Sequence, residues 1–208
     1  MNPKLWWYVA RASGMTAAVL VTLAVIWGLL LSTRLVRGRA TPAWLLDLHR
    51  FLGGLSVIFT GIHLAGLVAD NYLHFDLVDL IVPMASSWKP GAVAWGVVAL
   101  YLLVAVEITS LAIRRLPRPF WRRVHRTSYL LFWMVVVHGF LAGTDHANPI
   151  YLAGTALAAG VVVFLTSFLV LGGRQRTSSR RPSRVAPPAP TFDRERPTAV
   201  KPCSETVP

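Results

Sequence analysis

Sulfur and acid are what this chain has least of. Its 208 residues include one cysteine, Cys203, set in a polar C-terminal stretch. A single thiol cannot build a disulfide framework, a zinc cluster or an iron–sulfur site, and the absence of C-x-x-C-H rules out covalent attachment of a c-type haem. Asp and Glu number 9 against 21 Lys and Arg, for a formal charge of +12, yet charged residues make up only 14% of the chain. So basic a balance can signal nucleic-acid binding. Here the arginines stand instead at the ends of long apolar runs, the pattern of a membrane protein obeying the positive-inside rule, and no nucleic-acid partner is expected. The first apolar run is too long for a secretory leader, and no small-residue cleavage site follows it.

Apolar residues are plentiful, at 54%, with eight tryptophans. Five stretches are long enough to cross a hydrocarbon core of about 30 Å, which takes about 20 helical residues: Trp7–Ser32, Trp44–Ala69, Gly91–Ile113, Phe120–Ala142 and Tyr151–Gly172. Trp6, Trp7, Trp44, Trp88, Trp95 and Trp121 fall near their ends, as interfacial anchors do. The expected fold is therefore all-α, an integral membrane bundle of about five helices surrounded by lipid.

The connections sort by charge. "STRLVRGRATP" carries Arg34, Arg37 and Arg39; "RRLPRPFWRR" carries five arginines; the stretch after span five begins "RQRTSSRRPSR". The connection after span two has Asp70, Asp76 and Asp79 against Lys89, and "GTDHANP" after span four has no Lys or Arg. This places the N-terminus outside and the C-terminus in the cytoplasm of a plasma-membrane protein, with spans two and four running in the same direction. "FDLVDLIVPMASSW" is too short to span and is expected on the outer surface or as a re-entrant cap. Two regions follow: a membrane domain over 1–172, and a basic, Pro- and Ser-rich tail over 173–208. The tail is expected to be disordered, because it has too little apolar surface to offset its chain entropy.

Spans two and four hold four of the six histidines: His49 and His63 in "LHRFLGGLSVIFTGIH", His125 and His138 in "WRRVHRTSYLLFWMVVVHGF". The spacings, 14 and 13, amount to roughly 21 and 20 Å of helix. Because the two spans run in the same direction, His49 can face His125 at the inner level and His63 can face His138 at the outer level. Two bis-imidazole sites would then stack across the bilayer, and a b-type haem suits each, with axial nitrogens on both sides of a flat, apolar macrocycle. Fourteen residues return to within about 40° of the starting face, but thirteen miss by about 140°, so span four must bend, change pitch, or present one imidazole from its flank. The alternative without haem is a membrane scaffold in which these histidines are polar packing residues.

Those two stretches resemble the ligand-bearing helices of the ferric reductase-like transmembrane domain, a superfamily that includes ferric reductases, NADPH oxidases and the haem-bearing membrane subunit of a bacterial periplasmic methionine sulfoxide reductase. The resemblance extends over roughly residues 10 to 172 and rests on the doubled histidine pairs together with the W-R-R-x-H-R approach to span four. It implies two non-covalent b haems, with iron bound axially by His49 with His125 and by His63 with His138, and electron transfer from the cytoplasm outward. The large members carry a C-terminal flavin and nicotinamide module; the polar tail here has no glycine-rich Rossmann pattern. The chain thus reads as a stand-alone bacterial form. A separate flavoprotein, with any flavin on that partner, or a quinol would supply electrons, and an extracytoplasmic protein could accept them. A rival of similar composition is a quinol-linked cytochrome b subunit of a periplasmic oxidoreductase.

Charged groups near the spans have two readings each. Arg50 and Arg126 follow inner histidines and could pair with haem propionates or simply anchor the inner boundary. Arg11 could reach outer propionates or snorkel to headgroups. Glu107, in "LVAVEITS" of span three, is expected protonated or paired with Arg50 or Arg126, since an unpaired charge at that depth costs a few kcal/mol. His74, Asp145 and His146 could line the acceptor's approach, bind a metal ion transiently, or be solvated loop residues. Gly53, Gly54, Gly61 and Gly66 in span two allow close approach of a macrocycle or of another helix.

Overall fold

A computed structural model describes residues 4–33, 43–70, 75–144 and 147–179. His74, Asp145, His146, the arginines of the 34–42 connection and the tail from residue 180 lie outside the described residues. Within them the chain is helical and contains no strand: α1 (Leu5–Ser32), α2 (Ala43–Ala69), α3 (Leu77–Ile81), α4 (Pro90–Leu111), α5 (Arg118–Arg126), α6 (Ser128–Ala142) and α7 (Pro149–Ser179). This is a membrane protein. Four helices are long and apolar enough to cross a bilayer: Leu5–Ser32, Ala43–Ala69, Pro90–Leu111 and the Pro149–Leu171 part of α7.

Two boundaries differ from those expected. The fourth span is not one helix but two, α5 and α6, which meet at Thr127. The Thr127 amide donates to the Val124 carbonyl three residues back (2.9 Å), and its hydroxyl donates to the same oxygen (2.7 Å). A hydroxyl that competes for a backbone acceptor in this way tightens and bends a helix. Its ψ of −8° lies well off the α-helical value of about −42°. The other difference is at the end of span five, where α7 continues past Gly172 to Ser179. Arg and Gln are good helix formers, and no proline interrupts the chain before Pro182.

The core is built by four helices. Val21, Val25 and Leu29 of α1 meet Ala99 and Leu103 of α4, Leu131 and Phe132 of α6, and Val162 and Leu165 of α7. The buried positions of α1, Ala10, Ser13, Ala17, Val21, Val25 and Leu29, recur every three or four residues, the stripe one helical face presents. α2 stands outside this core and packs chiefly along α1, whereas α6 packs chiefly along α4. Trp27 of α1 donates its indole N–H to the Leu45 carbonyl (2.8 Å), pinning the first turn of α2.

Gly66 shows how close the α1–α2 approach is: a Cβ there would lie 2.9 Å from the Ala10 nitrogen and 3.0 Å from its Cα. Backbone cannot yield as a side-chain tip can. Gly66→Leu is therefore expected to split the pair and cost about 1–3 kcal/mol, read as a fall in the thermal unfolding midpoint in detergent. An unchanged midpoint would contradict the close packing.

On the acidic side, α3 is started by its own aspartates: Asp76 and Asp79 form a reciprocal capping box. The Tyr101 hydroxyl donates to the Ile81 carbonyl and fastens α3 to α4. Lys89 precedes Pro90 in a left-handed backbone conformation and reaches across to the Leu141 carbonyl near the end of α6 (3.1 Å). That bond satisfies one of the carbonyls a helix C-terminus leaves unpaired.

Candidate functional site

The four membrane histidines come from α2, α5 and α6, and each is seated on a helix that carries no histidine. At the level of the arginine-rich connections, here termed inner, the rings of His49 and His125 stand 5.9 Å apart, centroid to centroid, at 76°. At the other level His63 and His138 lie near one another. α2 and α6 themselves barely touch. The space between them is bridged by imidazoles, and all four rings remain half-buried.

The outer pair is oriented by backbone. His63 Nδ1 lies 2.7 Å from the Ala10 carbonyl of α1, and His138 Nδ1 lies 2.8 Å from the Ala92 carbonyl of α4. A carbonyl can only accept, so each Nδ1 must carry the hydrogen. In a neutral ring that leaves the Nε2 lone pair free, the arrangement by which proteins prepare a histidine to bind a metal.

The inner pair is held differently. His49 faces the Ala24 carbonyl, fourteen residues on from Ala10, but its buried Nδ1 completes no hydrogen bond. His125 Nδ1 is 3.4 Å from the Ser110 hydroxyl. Trp121, one turn earlier on α5, stacks on the His125 ring at 5.0 Å and 22° and points its indole N–H at the same hydroxyl (3.5 Å).

Small residues lie beneath the rings. A Cβ on Gly14 would sit 2.7 Å from His63 Nδ1; one on Gly96, 2.7 Å from His138 Cε1; one on Gly28, 3.1 Å from His49 Cε1. With Ser110 beside His125, each ring has a small neighbour on α1 or α4. Gly14 and Gly28 are fourteen residues apart, as are Gly96 and Ser110, matching His49 and His63. Sequence reasoning missed these seats, although the fourteen-residue recurrence of small residues in spans one and three was the signal that could have found them.

The spacing of thirteen in span four is accommodated at Thr127. A 3₁₀-like step turns about 120° per residue against about 100° in an α-helix. Each such step adds about 20°, in the direction that reduces the shortfall between His125 and His138.

The charged candidates are placed elsewhere. The Arg11 guanidinium lies over the Trp7 ring, 4.9 Å from its centroid. Arg50 pairs with Asp47 (3.4 Å) in an exposed i,i+3 contact. Arg126 lines an exposed cleft with Arg118, Arg122 and Arg123. Glu107 forms no ion pair with Arg50 or Arg126. It sits one turn deeper than Ser110, its Oε2 3.3 Å from where a Gly53 Cβ would be. Of the span-two glycines, Gly66 serves helix packing, and Gly54 and Gly61 would meet nothing within 4 Å.

The structure defines the class as an all-helical membrane bundle with imidazoles brought together at two levels. The family model described as "Ferric reductase like transmembrane component" matches residues 13–137, more than half of the chain. The chain belongs to this ferric reductase-like family, and its role is membrane electron transfer. The matched region contains His49, His63 and His125 and ends one residue before His138. Comparisons with curated proteins and with solved structures return no match.

Proposed function

We propose that the protein is a dihaem conduit that carries electrons across the membrane, from a cytoplasmic reductant to an acceptor at the outer face. The observation that carries this reading is the pairing of imidazoles at two levels between helices that barely touch. Three features of the residues fit b-type haem. The donor set is neutral imidazole. Among the described residues no cluster of three or more His, Cys, Asp or Glu could hold a bare ion, so two imidazoles suit a metal whose other positions are filled by its own macrocycle. Glycines leave room against the rings that a methyl group would fill.

His49 with His125, and His63 with His138, would hold the two haems. Haem iron, when bound, contributes a one-electron couple. The protein's part is to fix the rings. The Ala10 and Ala92 carbonyls hold the outer imidazoles in one tautomer, and Ser110 with Trp121 restrains His125. Arg11, Arg50 and Arg126 are proposed to balance propionate charge. A separate flavoprotein or quinol would deliver the electrons, and an extracytoplasmic protein could receive them.

A reduced-minus-oxidised spectrum of the purified protein tests the reading. A b-type band with two haems per chain is expected, and its absence ends the proposal. In proteoliposomes, reduction from the face bearing α5 should precede reduction from the opposite face; the reverse order would favour a quinol-linked subunit fed from outside.

A further inference from the structure

α5 is short and sharply two-sided. At about 100° per residue, Arg118, Arg122, Arg123 and Arg126 occupy one flank, while Phe120, Trp121 and Val124 occupy the other. The four arginines and Pro119 line a single concavity. All four are exposed, and no acidic side chain pairs with any of them among the described residues. Four guanidinium groups gathered without a counter-ion repel one another, and a bound anion relieves that repulsion.

The position of the helix selects the anion. α5 runs directly into α6 across Thr127, so the cleft lies at the base of a membrane-crossing segment. Phe120, half of its surface exposed, lies on the apolar flank of the same helix, as in helices that lie in the interfacial plane. The planar guanidinium fork matches phosphate in bidentate fashion, and basic pockets at the membrane boundary select anionic headgroups.

We propose that Arg118, Arg122 and Arg123 of α5 form a binding site for the phosphate headgroup of an anionic phospholipid. This is a defined site, distinct from the diffuse attraction of basic loops to a membrane, and it does not depend on the haem reading. Because His125 and its stacking partner Trp121 share the helix, the bound lipid would hold α5 in place beside the inner imidazole pair.

The test uses the full-length protein in nanodiscs of phosphatidylcholine with a minor fraction of phosphatidylglycerol, extracted gently and examined by native mass spectrometry for retained lipid. The wild-type protein is expected to retain phosphatidylglycerol over phosphatidylcholine, and less of it as ionic strength rises. The triple variant R118Q/R122Q/R123Q, which spares Arg126, should bind it roughly a hundredfold more weakly, at about fivefold per arginine. The variant R114Q/R115Q, which removes neighbouring charges outside the cleft, should retain it nearly as the wild type does. R118K/R122K/R123K keeps the charge without the fork and should fall between the two, which guards against a folding artefact in the glutamine triple. Equal loss in the triple and the control, or no preference for phosphatidylglycerol in the wild type, overturns the site. So does displacement of the lipid by inorganic phosphate at equal concentration, which would mark a free-anion site. Loss of haem from the glutamine triple with lipid retained would assign the arginines to propionates and overturn it as well. Capture of an acidic soluble protein by the cleft, with lipid retention unchanged in the triple, would mark a protein-docking face and do the same.

Discussion

His63→Ala is expected to lower the haem content from two per chain to one, and His49→Ala to do the same at the other level. The two rings lie fourteen residues apart on α2 and face different partners: His49 faces His125, and His63 lies near His138. Removing one ring would take one proposed ligand from a single site and leave the other pair on its own supports, the Ala10 and Ala92 carbonyls at the outer level and Ser110 with Trp121 at the inner. The amplitude of the b-type band should fall by about half in each single variant, and pyridine haemochrome assay would give the stoichiometry. Transmembrane electron flow in proteoliposomes should fall to background in both, because each site is an obligatory step in series. The double variant should carry no haem. If both single variants kept two haems, the assignment of these histidines as ligands would be wrong.

Gly96→Ala should damage the outer site without touching any proposed ligand. The new methyl group would lie 2.7 to 3.1 Å from three atoms of the His138 ring. The ring cannot simply slide away, because its Nδ1–H is bonded to Ala92, one turn earlier on the same helix as Gly96. Tilting the ring gives up that bond, worth about 1 kcal/mol, and adds overpacking strain of about 1–3 kcal/mol. The expected result is partial loss of the outer haem, a lowered melting temperature and an intact inner signal. Gly14→Ala, with contacts of 2.7 and 2.9 Å to His63, should behave similarly; Gly28→Ala, at 3.1 Å from His49, should be milder. Gly54→Ala and Gly61→Ala meet nothing within 4 Å and should be neutral or stabilising by up to about 1 kcal/mol, through reduced chain entropy in the unfolded state. A ranking that did not separate Gly96 and Gly14 from Gly54 and Gly61 would dismiss the idea of glycine seats.

Much of this was legible beforehand because a bilayer imposes strong rules. Length and hydropathy reveal spans whatever packs against them, and arginine-rich connections sort the loops. The spacing of His125 and His138 asked span four to bend, change pitch, or present one imidazole from its flank. What it could not announce was where the helix gives way. That is decided by the Thr127 hydroxyl, whose competition for the Val124 carbonyl is visible only in three dimensions. Glu107 was expected to be protonated or paired with an inner arginine; the pairing with Arg50 is not made, and Arg50 meets Asp47 on its own helix instead.

The sequence by itself determined an all-helical membrane protein, the family it belongs to, and four histidines at two depths on spans two and four. These follow from local periodicity and from the cost of placing polar groups in lipid, which each segment carries alone. Only the tertiary structure decided what stands behind each ring: the Ala10 and Ala92 carbonyls, the Ser110 hydroxyl, and the bare surfaces of Gly14, Gly28 and Gly96. A hydrogen-bond acceptor on one helix and an imidazole on another meet only when the interhelical distance and rotation are set. Those are properties of α1 against α2 and α4 against α6, and no single segment contains them.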